Sequence, residues 1–132
     1  MVETMVIATD LQAARRVAEE VLTHVASNGY GEERLFAIRL ALEEALINAV
    51  KHGNKFDKAK KITVTADVGA ERAAITVADE GVGFNPAAIP DPTADENLEK
   101  PCGRGIMLMR AYMDEVSYNE RGNEVRLVKR RG

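Results

Sequence analysis

The stretch KITVTADVGAERAAITVADEGVG, Lys61 to Gly83, carries the clearest pattern in the chain. Ile62, Val64, Ala66 and Val68 alternate with Lys61, Thr63, Thr65 and Asp67, the period-two signature of a strand with one buried face. Gly69 to Glu71 supplies a turn, and Ala73 to Ala78 returns as a second strand. That hairpin delivers Asp79, Gly81 and Gly83 to the end of the second strand.

N-terminal to the hairpin the period changes to that of a helix. Leu35, Ile38, Leu42, Ala45, Leu46 and Ala49 recur at helical spacing from about Glu32 to His52, and Gly53 is a natural stop. Before it, Ala14, Val17, Val21 and Val25 mark a helix from about Leu11 to Ala26, with Asp10 as its cap. Asn28, Gly29 and Gly31 separate the two helices, and Thr4 to Ala8 reads as a short strand.

C-terminal to the hairpin, Asn85 to Pro101 holds Pro86, Pro90, Pro92 and Pro101 among scattered acids, without periodicity. Such a long loop between two glycine motifs reads as a lid over about residues 85–102. A helix from about Ile106 to Met113 and two strands, Glu115 to Tyr118 and Asn123 to Val128, complete the chain. The order predicts an α+β fold: a two-layer sandwich with a mixed, mostly antiparallel sheet covered by helices on one face.

The 132 residues suit one domain, with 45% hydrophobic and 30% charged residues. A net charge of −3 argues against a nucleic-acid binder. The basic end, Arg126, Lys129, Arg130 and Arg131, reads as a solvated tail. Cys102 is the single cysteine, which excludes an intrachain disulfide. No stretch approaches the length of a membrane helix, so a soluble cytoplasmic protein is expected.

Three groups of residues can carry chemistry. Glu44 and Asn48 lie one turn apart on the second helix, so both side chains serve one flank. An Asn carbonyl oxygen suits Mg²⁺, and a Glu beside it can orient or deprotonate a hydroxyl. Read alone, the pair fits an exposed helix edge equally well. Asp79 can accept a hydrogen bond from an exocyclic amine such as adenine's, and Gly81 and Gly83 let a flat ring approach the backbone; an ordinary turn has the same residues. Gly103-Arg104-Gly105, just before a helix, can cradle phosphate or act as a hinge.

Taken in order, these motifs resemble the GHKL ATPase superfamily, whose domain is the Bergerat fold, and within it the anti-sigma factor serine kinases of sporulation and general stress. Glu44-Ala45-Leu46-Ile47-Asn48-Ala49-Val50-Lys51-His52-Gly53 resembles the family's N box. Asp79-Glu80-Gly81-Val82-Gly83-Phe84 resembles its first glycine box. Gly103-Arg104-Gly105-Ile106-Met107-Leu108-Met109, followed by Met113-Asp114-Glu115-Val116, resembles the second and the strand after it.

The resemblance implies a cofactor, ATP with Mg²⁺, and a role for each residue. Asn48 would bind the metal, Glu44 would act as catalytic base, and Asp79 would recognise the adenine amine. Gly81 and Gly83 would shape the adenine pocket, while Gly103, Arg104 and Gly105 would surround the phosphates, with Lys51 reaching one of them. His52 is expected to pack at the helix end, and His24 to be half-buried. Pro101 and Cys102 stand where some relatives carry a basic residue, leaving Lys100 or Arg104 as the lid's contact.

The function implied is a serine/threonine protein kinase that phosphorylates an anti-sigma factor antagonist and sequesters a sigma factor, as a homodimer joined through the sheet. Two alternatives are a nucleotide-gated binding module without phosphoryl transfer, and a histidine-kinase ATPase domain. The latter needs a dimerisation helix pair with a phosphoacceptor histidine, for which a chain of this length has no room.

Overall fold

A computed structural model describes residues 2–81 and 101–132, with side chains described for 2–81 and 107–132. Alternation of apolar and polar residues produces five strands: β1 (Val2–Ala8), β2 (Lys61–Val68), β3 (Arg72–Ala78), β4 (Glu115–Tyr118) and β5 (Glu124–Arg130). They form one sheet in the order β1-β2-β3-β5-β4. Every pairing is antiparallel, so the mixed character expected from sequence is absent among the described residues. Short hairpins explain this: β2–β3 and β4–β5 are each joined by a turn, a connection available only to antiparallel strands.

Three helices accompany the sheet: α1 (Leu11–Ser27), α2 (Glu32–Asn48) and α3 (Pro101–Tyr112). Asp10 caps α1 as its sequence position predicts, its carboxylate accepting the Gln12 N–H at 2.7 Å. The core lies between helices and sheet. Ile38, Leu42 and Leu46 from α2 meet Ile62, Val64, Ile75 and Leu127 from the strands, all fully buried. Burying a Leu or Ile side chain contributes about 1.5–3 kcal/mol, so this stripe fixes α2 firmly over the sheet. Its flanks are thereby held in place.

Two elements depart from the sequence reading. The basic end is no solvated tail: Arg126, Lys129 and Arg130 belong to β5, paired along β3 from Glu124 to Arg130. Lys129 Nζ donates to the Tyr112 carbonyl at 2.6 Å, and Arg131 Nε donates to the Ala70 carbonyl at 2.6 Å. Val125 and Leu127 face the core, while Arg126 sits within the sheet, opposite Thr76 of β3 and Ser117 of β4.

The last helix starts at Pro101, not near Ile106. Proline suits the first helical position because it lacks the N–H that a helix start leaves unbonded anyway. Gly103, Arg104 and Gly105 therefore lie inside α3, not in a loop before it.

Candidate functional site

The end of α2 has an irregularity that places the site. After Asn48 the helix widens into a π-helical turn, Ala49–Gly53, closed by the Asn54 N–H on the Ala49 carbonyl at 2.8 Å. Such turns recur at functional sites because they re-aim the chain without ending the helix. Here the turn carries Gly53 and Asn54 against the end of β3.

The contact there is backbone-close. A Cβ on Gly53 would collide with the Asp79 carboxylate, and a Cβ on Gly81 would collide with the Gly53 carbonyl. Only glycine allows this three-way approach. The Gly81 N–H donates to Asp79 Oδ1 at 2.7 Å, and the Asp79 N–H donates to the Asn123 carbonyl at 2.8 Å. Asp79 is thus clamped from three directions and half-buried. Burial pushes its carboxyl above the ordinary aspartate value, opposed by the Gly81 N–H and the nearby Lys60 ammonium.

Asn54, 1% exposed, ties this clamp to the fold. Its amide nitrogen donates to Thr9 Oγ1 at 2.9 Å and to the Lys61 carbonyl at 3.1 Å, while its oxygen accepts the Glu80 N–H at 2.8 Å. One buried side chain thereby joins the segments after β1, before β2 and after β3. Asn123, in the β4–β5 turn, adds a fourth segment through its bond from Nδ2 to the Gly81 carbonyl at 3.4 Å. Neither asparagine was singled out from sequence. The available signal for Asn54 was a polar residue directly after the His-Gly end of the helix motif.

The remaining sequence candidates divide. Glu44 and Asn48 are both half-buried on α2, one turn apart. Lys51 is exposed and lines a groove between α1 and α2 with Leu11, Arg15, Glu43 and Ile47. In an unbroken helix it would continue the Glu44 stripe, but a π-helical turn spreads more residues over each revolution and carries it round toward α1. His52 is exposed instead of packed, whereas His24 is half-buried as expected, with its Nε2 enclosed and unpartnered among the described residues. Gly83, Lys100 and the lid up to residue 100 lie outside the described residues, as do the side chains of Cys102 and Arg104. Gly103 sits in the first turn of α3, where backbone N–H groups have no intrahelical acceptor.

The described residues thus hold a half-buried carboxylate in a glycine clamp, a polar flank on α2 and the start of α3. Residues 7–129 match the histidine kinase-like ATPase domain, and the chain belongs to that family. Within it the chain is similar to the anti-sigma F factor of Clostridium perfringens strain SM101, 30% identical over 103 residues, covering 75% of this chain and 73% of that one. It is likewise similar to the serine-protein kinase RsbW of Bacillus subtilis strain 168, 34% identical over 118 residues, covering 82% and 72%. The solved RsbU and RsbW domains of a Mycobacterium tuberculosis protein superpose with a TM-score of 0.67 at 19% identity, which shows the fold alone. That match covers 98% of this chain and 32% of the other.

ATP fits the clamp on the evidence of the clamp itself. An adenine amine needs an acceptor that is fixed, partly desolvated and reachable at close range; Asp79 has these properties, and Gly53 and Gly81 leave no side chain beside it. Among the described residues, no helix is long and apolar enough to cross a membrane.

Proposed function

We propose that this chain is a cytoplasmic, ATP- and Mg²⁺-dependent serine/threonine protein kinase of the anti-sigma factor type, which phosphorylates an antagonist protein and sequesters a sigma factor. The observation that carries the reading is the Gly53–Asp79–Gly81 clamp, an adenine-type acceptor held at the end of the helix that bears Glu44 and Asn48. Names of relatives support the rest: anti-sigma F factor, serine-protein kinase RsbW, and the serine/threonine-protein kinase BtrW of Bordetella bronchiseptica.

Bound ATP with Mg²⁺ supplies the transferable phosphoryl group and the cation that offsets its charge. Asp79 accepts from the adenine amine and sets the register of the nucleotide. Asn48 would hold the metal through its neutral, hard amide oxygen. Glu44, one turn away, receives the proton of the incoming serine or threonine hydroxyl. Gly103, at the start of α3, presents its backbone N–H to phosphate, with Gly83, Arg104 and Gly105 completing the pocket. Lys51, from its groove, is the weakest member of the set. The chain works as a homodimer joined through the open face of the sheet.

The deciding experiment incubates the purified protein with ATP, Mg²⁺ and the antagonist proteins encoded in the same genome. Wild type is expected to leave phosphoserine or phosphothreonine on one of them. Glu44→Gln should keep its affinity for ATP and lose transfer by about 100-fold or more. Transfer at the wild-type rate by that variant removes Glu44 from the role of base.

A further inference from the structure

The segment joining the helix motif to β2 borders the site above through Lys60 and Lys61, and among the described residues it has an unusual backbone at Lys55 and Phe56. Lys55 and Phe56 have φ of 51° and 59°, and no other non-glycine residue among the described ones has a positive φ. The left-handed region costs an L-residue about 1–2 kcal/mol, and a bulky aromatic there is a clear outlier. The conformation is held by a tight set of bonds. The Phe56 N–H reaches the Val50 carbonyl at 2.8 Å, Asp57 N–H the Asn54 carbonyl at 2.9 Å, and Lys60 N–H the Asp57 carbonyl at 3.0 Å. Asp57 turns its own carboxylate onto the Ala59 N–H at 2.9 Å.

What this strain achieves within the fold is little. The Phe56 ring is 52% exposed, so most of the apolar stabilisation a buried phenylalanine would contribute is missing. Lys55, Lys58 and Lys61, all exposed, and the half-buried Lys60 lie within five residues of it in sequence, with Asp57 the one acid of the stretch 55–61. The loop therefore carries an exposed aromatic on a fixed backbone within a lysine-rich stretch, on a chain whose net charge is −3. Backbone strain of this kind persists where surrounding structure over-determines it, and it concentrates at ligand clamps and switches.

We infer that the loop 55–61 is a docking surface for a protein partner whose contact face is acidic and has an apolar recess for Phe56. Charge complementarity selects the partner. An exposed aromatic on a fixed backbone among lysines suits an interface with an apolar anchor and polar surroundings. Nucleic acid and anionic membrane are disfavoured because the rest of the chain is acidic and would repel an extended polyanion. The loop also shares the Asn54 tie with the adenine clamp, since Asn54 anchors both Lys61 and Glu80. Partner binding at the loop and nucleotide binding at Asp79 therefore share one anchor, and a change that either makes in the other's affinity is reciprocal.

The inference rests on the proposed function only for its probes: the sigma factor and antagonist proteins of the same genome, titrated with and without ATP. Phe56→Gly removes the ring at a backbone position glycine occupies without strain, so its melting temperature should equal or exceed that of wild type. Its affinity for one of the two proteins should fall about tenfold or more, with ATP affinity unchanged. Lys55→Glu with Lys58→Glu should weaken the same partner, and added salt should weaken wild type far more than this variant.

Partner affinity unchanged in both variants overturns the inference, as does a wild-type protein that binds neither probe. So does a loss confined to RNA or to vesicles of anionic phospholipid. A wild-type protein that binds its partner in a loop-dependent way but transfers no phosphate defeats the kinase reading alone.

Discussion

Asp79 is held where burial disfavours its charge, and the Gly81 N–H and the nearby Lys60 ammonium offset that effect only in part. Asp79→Asn removes the charge and keeps one carbonyl acceptor, so the nucleotide-free protein should be as stable as wild type or more so at neutral pH. ATP affinity should fall about tenfold or more, because the adenine amine then meets a weaker, neutral acceptor. The pH dependence has a definite sign. The folded-state value lies above the unfolded one, so between them the native state binds more protons. Asp79 therefore makes the nucleotide-free protein less stable as pH rises through that window. ATP affinity should run the other way and weaken as pH falls through the folded value. Thermal melts and nucleotide titrations of both proteins across acidic to neutral pH test the pair of slopes; parallel slopes would count against the assignment. Asp79 and Gly81 were legible in sequence because strand-end acids and glycines are conspicuous. Asn54 was not, because its role depends on partners as far as 45 residues away.

At the scale of elements, the hairpin β2–β3 and the helices α1 and α2 follow directly from periodicity, since each buries one face against the core. The exceptions lie where tertiary contacts override the local pattern. The pattern from about Glu32 to His52 reads as one helix, whereas α2 ends at Asn48 and a π-helical turn, Ala49–Gly53, leads to Asn54, which reaches Thr9, Lys61 and Glu80 together. Periodicity also missed α3's start, which is set by Pro101 with glycines following. The weight carried by Asn54 can be measured. Asn54→Ala leaves the Glu80 N–H and the Lys61 carbonyl without this partner, at a cost of about 2–4 kcal/mol in urea unfolding. Nucleotide affinity should fall further than global stability explains, because the clamp and the loop are both tied through this residue. A loss of stability with ATP affinity intact would make Asn54 a core residue and nothing more.

For the whole molecule, the one-sided arrangement of helices leaves the other face of the sheet open, and its composition is graded. Val2, Thr4, Val6 and Ala8 of β1 lie beside Asp67, Thr65, Thr63 and Lys61 of β2, and Thr65 and Thr63 lie beside Thr76 and Ala78 of β3. Short uncharged side chains therefore occupy the middle of β1, β2 and β3, Arg126 continues that row on β5, and Lys61, Asp67, Arg72 and Glu124 mark the ends of the strands. Val2 and Val6 are 62% and 64% exposed, which is costly for apolar residues left in water and natural for residues covered by a second sheet. The proposed homodimer uses this face. Val6→Glu should leave the fold intact, because the residue already faces solvent, and should disfavour the dimer by placing two symmetry-related carboxylates at or near one apolar seam. Sedimentation across a concentration series is expected to show the dimer constant weakened about tenfold or more, with Val6→Thr close to wild type. ATP affinity measured on the monomeric variant should remain that of wild type, since the clamp at Asp79 is built within one chain. An unchanged dimer in Val6→Glu would place the interface elsewhere.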